Sequence, residues 1–180
     1  MGAVRSIDLK HYYPRDQYVQ IRHNPDTDTP LKNGTKGERD VALSGRTCRL
    51  IDDWVEQYRY DVEDEYGRQA LLTTRHGRIT RNTIRNYIYR VTRPCTYGEC
   101  PHDRDPKECP GTDNQKPYLC PSSTAPHSFR HGAITDYLNR DIDAAIVSER
   151  MNVTQPVLDN FYDHRTNFEK MRLRRQHLDI

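Results

Sequence analysis

The chain has 180 residues, 28 Lys plus Arg against 26 Asp plus Glu, and a net charge of +2, which excludes a polybasic tail protein and an acidic solvating one. Leu, Ile, Val and Phe total 33, but 12 Tyr supplement them; with so small a net charge this predicts one folded domain with a thin core rather than disorder. No apolar run is long enough to span a membrane, and the N-terminus lacks the apolar stretch of a secretory leader, so a cytoplasmic protein is expected.

In chain order, Tyr18-Val19-Gln20-Ile21-Arg22 alternates as a strand does, and Asp40-Val41-Ala42-Leu43 reads as its partner. Between them Asn33-Gly34 and Lys36-Gly37 give the composition of an extended hairpin. Leu50, Ile51, Trp54, Val55 and Tyr58 recur at helical spacing. The outer face and exit of that helix carry Asp52, Asp53, Glu56, Asp61, Glu63, Asp64 and Glu65, which reads as a solvated face pointing away from any anion.

The sign then reverses. Residues 68–93 contain seven Arg and no acid. Leu71-Leu72 suggests a short strand, His76-Gly77 a turn, and Thr80 a cap for a helix with Ile84, Tyr87, Ile88 and Val91 inward. Arg78, Arg81 and Arg85 are then expected to share the opposite side. Unopposed arginines of this kind displace counterions from a nucleic-acid backbone, so they are the candidate DNA-binding residues. A solvated basic face is the plainer meaning of such a run.

Residues 94–126 hold four of the five Cys, many Pro and almost no aliphatics, so this segment is a loop that needs a staple. Cys95, Cys100, Cys109 and Cys120, with four, eight and ten residues between them, can supply four thiolates to a tetrahedral zinc, and His102 can replace one of them. Four free thiols on a loop is the alternative. Cys48, in a helical pattern, reads as a small buried apolar residue.

Regular structure resumes at His127, with Phe129, Ala133, Ile134, Tyr137 and Leu138 on one helical face and Ile142, Ala145 and Ile146 on the next. Thr154 caps a third short helix with Pro156 in its first turn, and Thr166 to Glu169 fits a capping box opening a basic last helix with Lys170, Arg172, Arg174 and Arg175. His127-Ser-Phe-Arg130-His131 opens a helix, so two of these side chains and the helix N-terminus can face one anion. Tyr162 follows Arg130 by 32 residues, in Asn160-Phe161-Tyr162-Asp163-His164. A helical elbow between them can bring a phenol beside Arg and His.

Residues 127–162 resemble the C-terminal half of a tyrosine recombinase (phage integrase family) catalytic domain, which places H-x-x-R in one helix and a nucleophilic Tyr at about this distance. "RMNVTQPVLDNFYDHRT" and the Cys-rich stretch are similar to integrase-like proteins of haloarchaea and their viruses. "MGAVRSIDL" resembles the helix after the family's first catalytic Arg, and "TPLKNGTKGERDVAL" resembles its lysine-bearing hairpin. The resemblance covers nearly the whole chain. It implies a mixed α+β, mainly helical fold with a small antiparallel sheet: one catalytic domain over 1–180, N-terminally incomplete, with 94–126 as a Cys/Pro-rich zinc-binding insertion.

The resemblance also implies roles. Tyr162 attacks a DNA phosphate to give a 3′-phosphotyrosyl link. Arg130 holds the non-bridging oxygens and His127 adds a donor. Lys32, with Lys36 in reserve, protonates the leaving 5′-oxygen, and His131 assists proton transfer from Tyr162. Neither ATP nor a divalent metal is needed, the zinc being structural; the partner is double-stranded DNA, with self-association on it. There are two departures from the family pattern. Val153 stands where the family usually carries His or Trp, with Asn152 one position off. The family's first catalytic Arg would precede Met1, which implies impaired cleavage by this chain. A zinc-stapled DNA-binding remnant that no longer cuts is therefore the alternative, and a type IB topoisomerase a third option.

Overall fold

The computed structural model describes residues 1–162 and, beyond them, Thr166, Phe168, Met171, Arg172 and Arg175. The chain divides into two compact units, Met1–Pro126 and His127–Ile180. The architecture is mixed and mainly helical with small antiparallel sheets.

In the first unit, a short helix α1 (Gly2–Arg5) precedes a three-stranded antiparallel sheet of β1 (Tyr12–Tyr13), β2 (Tyr18–Ile21) and β3 (Arg39–Ala42) in that order. The expected strands β2 and β3 pair with Val19 opposite Val41. β1 is too short to show alternation in the sequence; it is fastened by Tyr13, which stacks on Tyr18 with ring centroids 4.5 Å apart. Val19 and Ile21 face a core with Ile7, Leu31 and Leu71. A one-residue slip would send both to solvent, so this pattern fixes the register.

Helix α2 (Gly45–Asp53) starts at Ser44, whose hydroxyl accepts from the Thr47 N–H at 3.1 Å, and runs into a π-helical turn at Trp54–Tyr58. Cys48 is buried, and Ile51 and Val55 pack on the core. Leu50 and Tyr58, expected inward, are exposed. Leu50 lies off the Cys48–Ile51–Val55 stripe, and the wider π turn carries Tyr58 off it. The Trp54 indole donates to the Leu71 carbonyl at 2.9 Å. Leu71 thus belongs to the core, and the expected strand lies two residues later, in the hairpin of β4 (Thr73–Thr74) and β5 (Gly77–Arg78). Gly77 has φ +102, which side chains rarely adopt.

Thr80 caps α3 (Arg81–Val91), its hydroxyl accepting from the Thr83 N–H. Ile84 is buried, but Tyr87 and Val91, expected inward, are exposed. Tyr87 instead lies under the Arg90 guanidinium, 5.4 Å from its ring centroid. Tyr89 meets Tyr118 edge-on at 6.4 Å, which seats the Cys-bearing segment on α3.

A buried ion cluster ties the start of this unit to residues 64–78. Asp8 accepts from Arg68 Nε and Nη2, each at 3.0 Å, and from Arg78 Nη2. Arg78 Nε donates to Asp64 at 2.7 Å and its Nη1 to the Arg5 carbonyl at 2.7 Å. Two expectations are corrected here. The arginines of 68–93 are not all unopposed, because Asp8, 60 and 70 residues away in sequence, reaches two of them. The acidic stretch is not all solvated either: Asp64 is buried against Arg78, and Asp52 accepts from the Tyr12 hydroxyl at 2.8 Å.

The second unit opens with α4 (Pro126–Asn139), followed by α5 (Ala144–Met151) and α6 (Gln155–Phe161). Its core is Ile134, Leu138, Val147, Leu158 and Tyr162, flanked by Tyr137, Ile142, Ala144, Met151 and Val153. Phe129 is exposed, contrary to expectation, as are Ala145 and Ile146. The reason at α5 is its start. The Asp143 carboxylate caps the Ala145 N–H at 2.7 Å, so Ala144, Val147 and Met151 form the inward stripe. Of the expected basic helix, Arg172 and Arg175 are helical and exposed; Glu169, Lys170 and Arg174 lie outside the described residues. No described helix is long and apolar enough to cross a membrane.

Candidate active site

His127, Arg130 and His131 stand at i, i+3 and i+4 near the start of α4, a spacing that puts all three on one face. The fourteen-residue helix brings its positive N-terminal end to the same place. His131 Nε2 lies 2.9 Å from His127 Nε2 and 3.3 Å from the Tyr162 hydroxyl oxygen. The two imidazoles meet edge-on at 4.5 Å, and the His131 ring leans over Tyr162 at 4.6 Å.

Tyr162 is placed by the end of α6. Its N–H bonds the Leu158 carbonyl at 3.0 Å, and its φ of −129 leaves helical geometry there. The residue is 6% exposed, so the core holds the ring while the hydroxyl meets the histidine. An imidazole nitrogen offers one N–H or one lone pair, never both. If His131 Nε2 accepts a proton from Tyr162, a hydrogen on His127 Nε2 competes for the same lone pair.

Arg130 Nη2 donates to the Asn152 carbonyl at 3.3 Å. No carboxylate pairs with Arg130 among the described residues. Asn152 ends α5 in the left-handed region at φ 49, a conformation Asn tolerates. Val153 packs on the core and accepts from the Ser148 hydroxyl at 2.6 Å through its carbonyl. The turn that holds Val153 thus reaches Arg130 through the main chain of Asn152.

Lys32 and Lys36 lie in the first unit, both exposed, in the connection between β2 and β3. That connection is not a regular hairpin. It contains short 3-10 turns at Pro25–Thr27 and Gly34–Gly37, with Gly34 at φ +58. His23 fastens both sides of it: Nδ1 accepts from the Leu31 N–H at 2.9 Å, and its own N–H donates to Glu38 at 2.8 Å.

Arg81 and Arg85 are exposed on α3 and join no ion pair among the described residues. Arg78 does not share their surface. Its side chain is 3% exposed, because β5 turns it inward onto Asp8 and Asp64 before the helix begins. Asp8 is the residue that sequence reasoning missed. Its signal is an acid set between Ile7 and Leu9, where a carboxylate is buried only if it is paired.

All five cysteines are free. Cys95, Cys100, Cys109, Cys120 and His102 line one small cavity. As they stand, no three His, Cys, Asp or Glu side chains among the described residues are arranged to hold a metal ion.

No protein-family model matches the chain, and no curated protein does. Solved structures match over nearly its full length. It is similar to XerA recombinase, with TM-score 0.60 and 14% identity over 98% of this chain and 52% of that one. It is similar to a variant Tn1549 transposon integrase in complex with a circular intermediate DNA, with TM-score 0.65 and 13% identity over 99% and 54%. A second variant of that integrase, in complex with transposon right end DNA, gives TM-score 0.63 and 12% identity over 99% and 54%. The chain spans about half the length of these proteins. At such identities the likeness is one of fold, and the fold of this chain is that of these recombinase and integrase structures.

Proposed function

We propose that this chain carries the strand-cutting centre of a site-specific DNA recombinase that works through a tyrosine–phosphate intermediate. The observation that carries the reading is the contact of Tyr162 with His131, on the helix that also presents His127 and an arginine without a carboxylate partner among the described residues. The fold shared with integrases described in complex with DNA supports it.

In this reading the Tyr162 hydroxyl oxygen attacks the phosphorus of a DNA phosphodiester, and the bond to the 5′-oxygen breaks. The phenolic proton passes to His131 Nε2. Lys32, assigned by resemblance, protonates the leaving 5′-oxygen. A 5′-hydroxyl later attacks the phosphotyrosine and gives its proton back to Lys32, while His131 returns its proton to Tyr162 as the phosphodiester is restored. The bond count is unchanged, so no ATP is consumed. Arg130 holds the non-bridging oxygens with two donors as their charge builds. His127 has a second task. When its Nε2–H turns to a phosphate oxygen, the His131 lone pair is released for Tyr162.

The burial of Tyr162 favours a second reading, a DNA-binding module in which Tyr162 is only a core residue. One experiment separates the two. Tyr162→Phe keeps the ring and removes the nucleophile. On a nicked suicide substrate it should abolish the covalent protein–DNA adduct and leave binding within about 2-fold, since surface contacts are untouched. Adducts that persist would reject Tyr162 as nucleophile, and a wild-type protein that binds DNA but forms no adduct would favour the binding module. Extended and 180-residue forms of the chain should both be assayed, because the fold neighbours are about twice as long.

A further inference from the structure

Residues 94–126 fold without an apolar core. Leu119 is their only large aliphatic residue and it is exposed. Only Gly111, Pro117 and Cys120 are buried in the whole segment. The backbone is a succession of tight turns, and each cysteine sits on one. Cys95 lies inside the 3-10 turn Pro94–Thr96, Cys109 directly precedes Pro110–Thr112, and Cys120 directly follows Pro117–Leu119. The Cys100 carbonyl closes a further turn by accepting from the Asp103 N–H at 3.2 Å.

These turns bring all four cysteines to the lining of one cavity of about 10 Å³, the space of one water-sized sphere. Two turns are in direct contact there. A Cβ added to Gly111 would lie 2.8 Å from the Cys120 nitrogen and 2.9 Å from its Cβ, so only glycine lets the Cys109 turn close on Cys120. Arg93 and Arg104 line the same cavity. His102 lines it too, with its Nε2 engaged 2.8 Å from the Ser122 hydroxyl.

We propose that Cys95, Cys100, Cys109 and Cys120 bind one zinc ion, which closes this segment in place of a core. The four cysteines line the cavity but are not arranged around an ion as they stand, so binding requires their side chains to change rotamer. Binding releases the four thiol protons. A divalent ion held by four thiolates carries two negative charges, and the guanidinium groups of Arg93 and Arg104 offset them. Four sulfur ligands select zinc over magnesium or calcium. His102 remains with Ser122 outside the ligand set.

The inference is independent of the DNA chemistry, and so is its test. Protein purified under reducing conditions without chelator should contain about one zinc per chain. Cobalt(II) added to the stripped protein should saturate at one equivalent with the absorption of a tetrahedral thiolate complex. Cys109→Ser and Cys120→Ser should each lose the metal, while Cys48→Ser and His102→Ala keep it. Because the first two variants can also fail to fold, alkylation of the wild type gives a second readout. Cys95, Cys100, Cys109 and Cys120 should be protected until chelator is added, and Cys48 should respond the same with and without it. Absence of metal, iron in place of zinc, loss of zinc on His102→Ala, or a disulfide between any two of the four cysteines would each overturn the proposal.

Discussion

The first unit pairs its buried Arg78 with carboxylates, whereas in the second Arg130, on the helix that carries His127 and His131, meets a main-chain carbonyl and no carboxylate among the described residues. Arg78 makes three kinds of contact, to Asp8, to Asp64 and to the Arg5 carbonyl, and its charge is neutralised inside the protein. Among the described residues Arg130 has one long hydrogen bond, to a neutral oxygen. A guanidinium already shared between two carboxylates has little to offer a phosphate; one held by a carbonyl keeps both its charge and its donor fork. Membership of a basic run therefore says less about an arginine's role than whether an acid from a distant segment reaches it.

Substitution on each side should separate stability from chemistry. Asp8→Ala leaves Arg68 and Arg78 as neighbouring buried cations, and removing one partner of such a cluster costs about 3–5 kcal/mol. Denaturant unfolding should show that loss, and a change under about 1 kcal/mol would mean the cluster does not hold the unit together. Arg130→Ala should do the reverse. Stability should change by less than about 1 kcal/mol, while covalent adduct formation should slow by roughly 10²–10³-fold, the usual cost of one preorganised donor. Equal loss of folding in both variants would erase the distinction between the two environments.

The same contrast explains what the sequence could reveal. The paired strands around Val19 and Val41 and the helices of the second unit follow from local periodicity, as does the shared face of His127, Arg130 and His131. The contact of His131 with Tyr162 spans 31 residues, yet the intervening helical pattern and the family resemblance made it an explicit expectation. The acid between Ile7 and Leu9 signals that Asp8 needs a partner, but which residues supply it is not legible, because Arg68 and Arg78 lie 60 and 70 residues away in sequence. Helix phase at α5 departs from the periodicity for a local reason: the Asp143 cap sets the start of the helix and with it the inward stripe. Tyr87 and Tyr58 fit the helical spacing yet face solvent, because tyrosine serves equally as core and as surface.

Acid should expose the difference in a graded way. Burial depresses the His11 pKa below its ordinary value, with Asp8 opposing the shift. Folding therefore favours neutral His11, and stability is lost as pH falls past the ordinary histidine value of 6.5. Burial alone would raise the Asp64 pKa, but the hydrogen bonds from Arg78 and the Arg68 and Tyr66 N–H groups outweigh it and hold the carboxyl below its usual 3.8. That stability is complete above the ordinary carboxylate range and drains as pH falls through the lowered value. Unfolding free energy of the wild type should thus decline in two stages, near-neutral and strongly acidic. His11→Gln should flatten the first stage and Asp64→Asn the second. A wild-type profile flat from pH 7 to about 5 would remove His11 from this account.

The smallest effect concerns the surface arginines, and it sharpens the comparison within the first unit itself. Arg81 and Arg85 are exposed on α3, eight residues or fewer beyond buried Arg78. If they contact DNA phosphates, each contact releases counterions and contributes about −0.9 to the slope of log affinity against log salt. Replacing both with Ala should therefore reduce the magnitude of that slope by roughly 2 and leave the melting temperature nearly unchanged. Arg78→Ala should act in the opposite manner. It leaves Asp8 and Asp64 short of a partner, so it should lower stability while any folded protein keeps the wild-type salt slope. A salt slope unmoved by the Arg81 and Arg85 substitutions would place the phosphate contacts elsewhere. A slope reduced by Arg78→Ala in stably folded protein would mean that this arginine can leave its carboxylates for DNA, contrary to the difference drawn between the two environments.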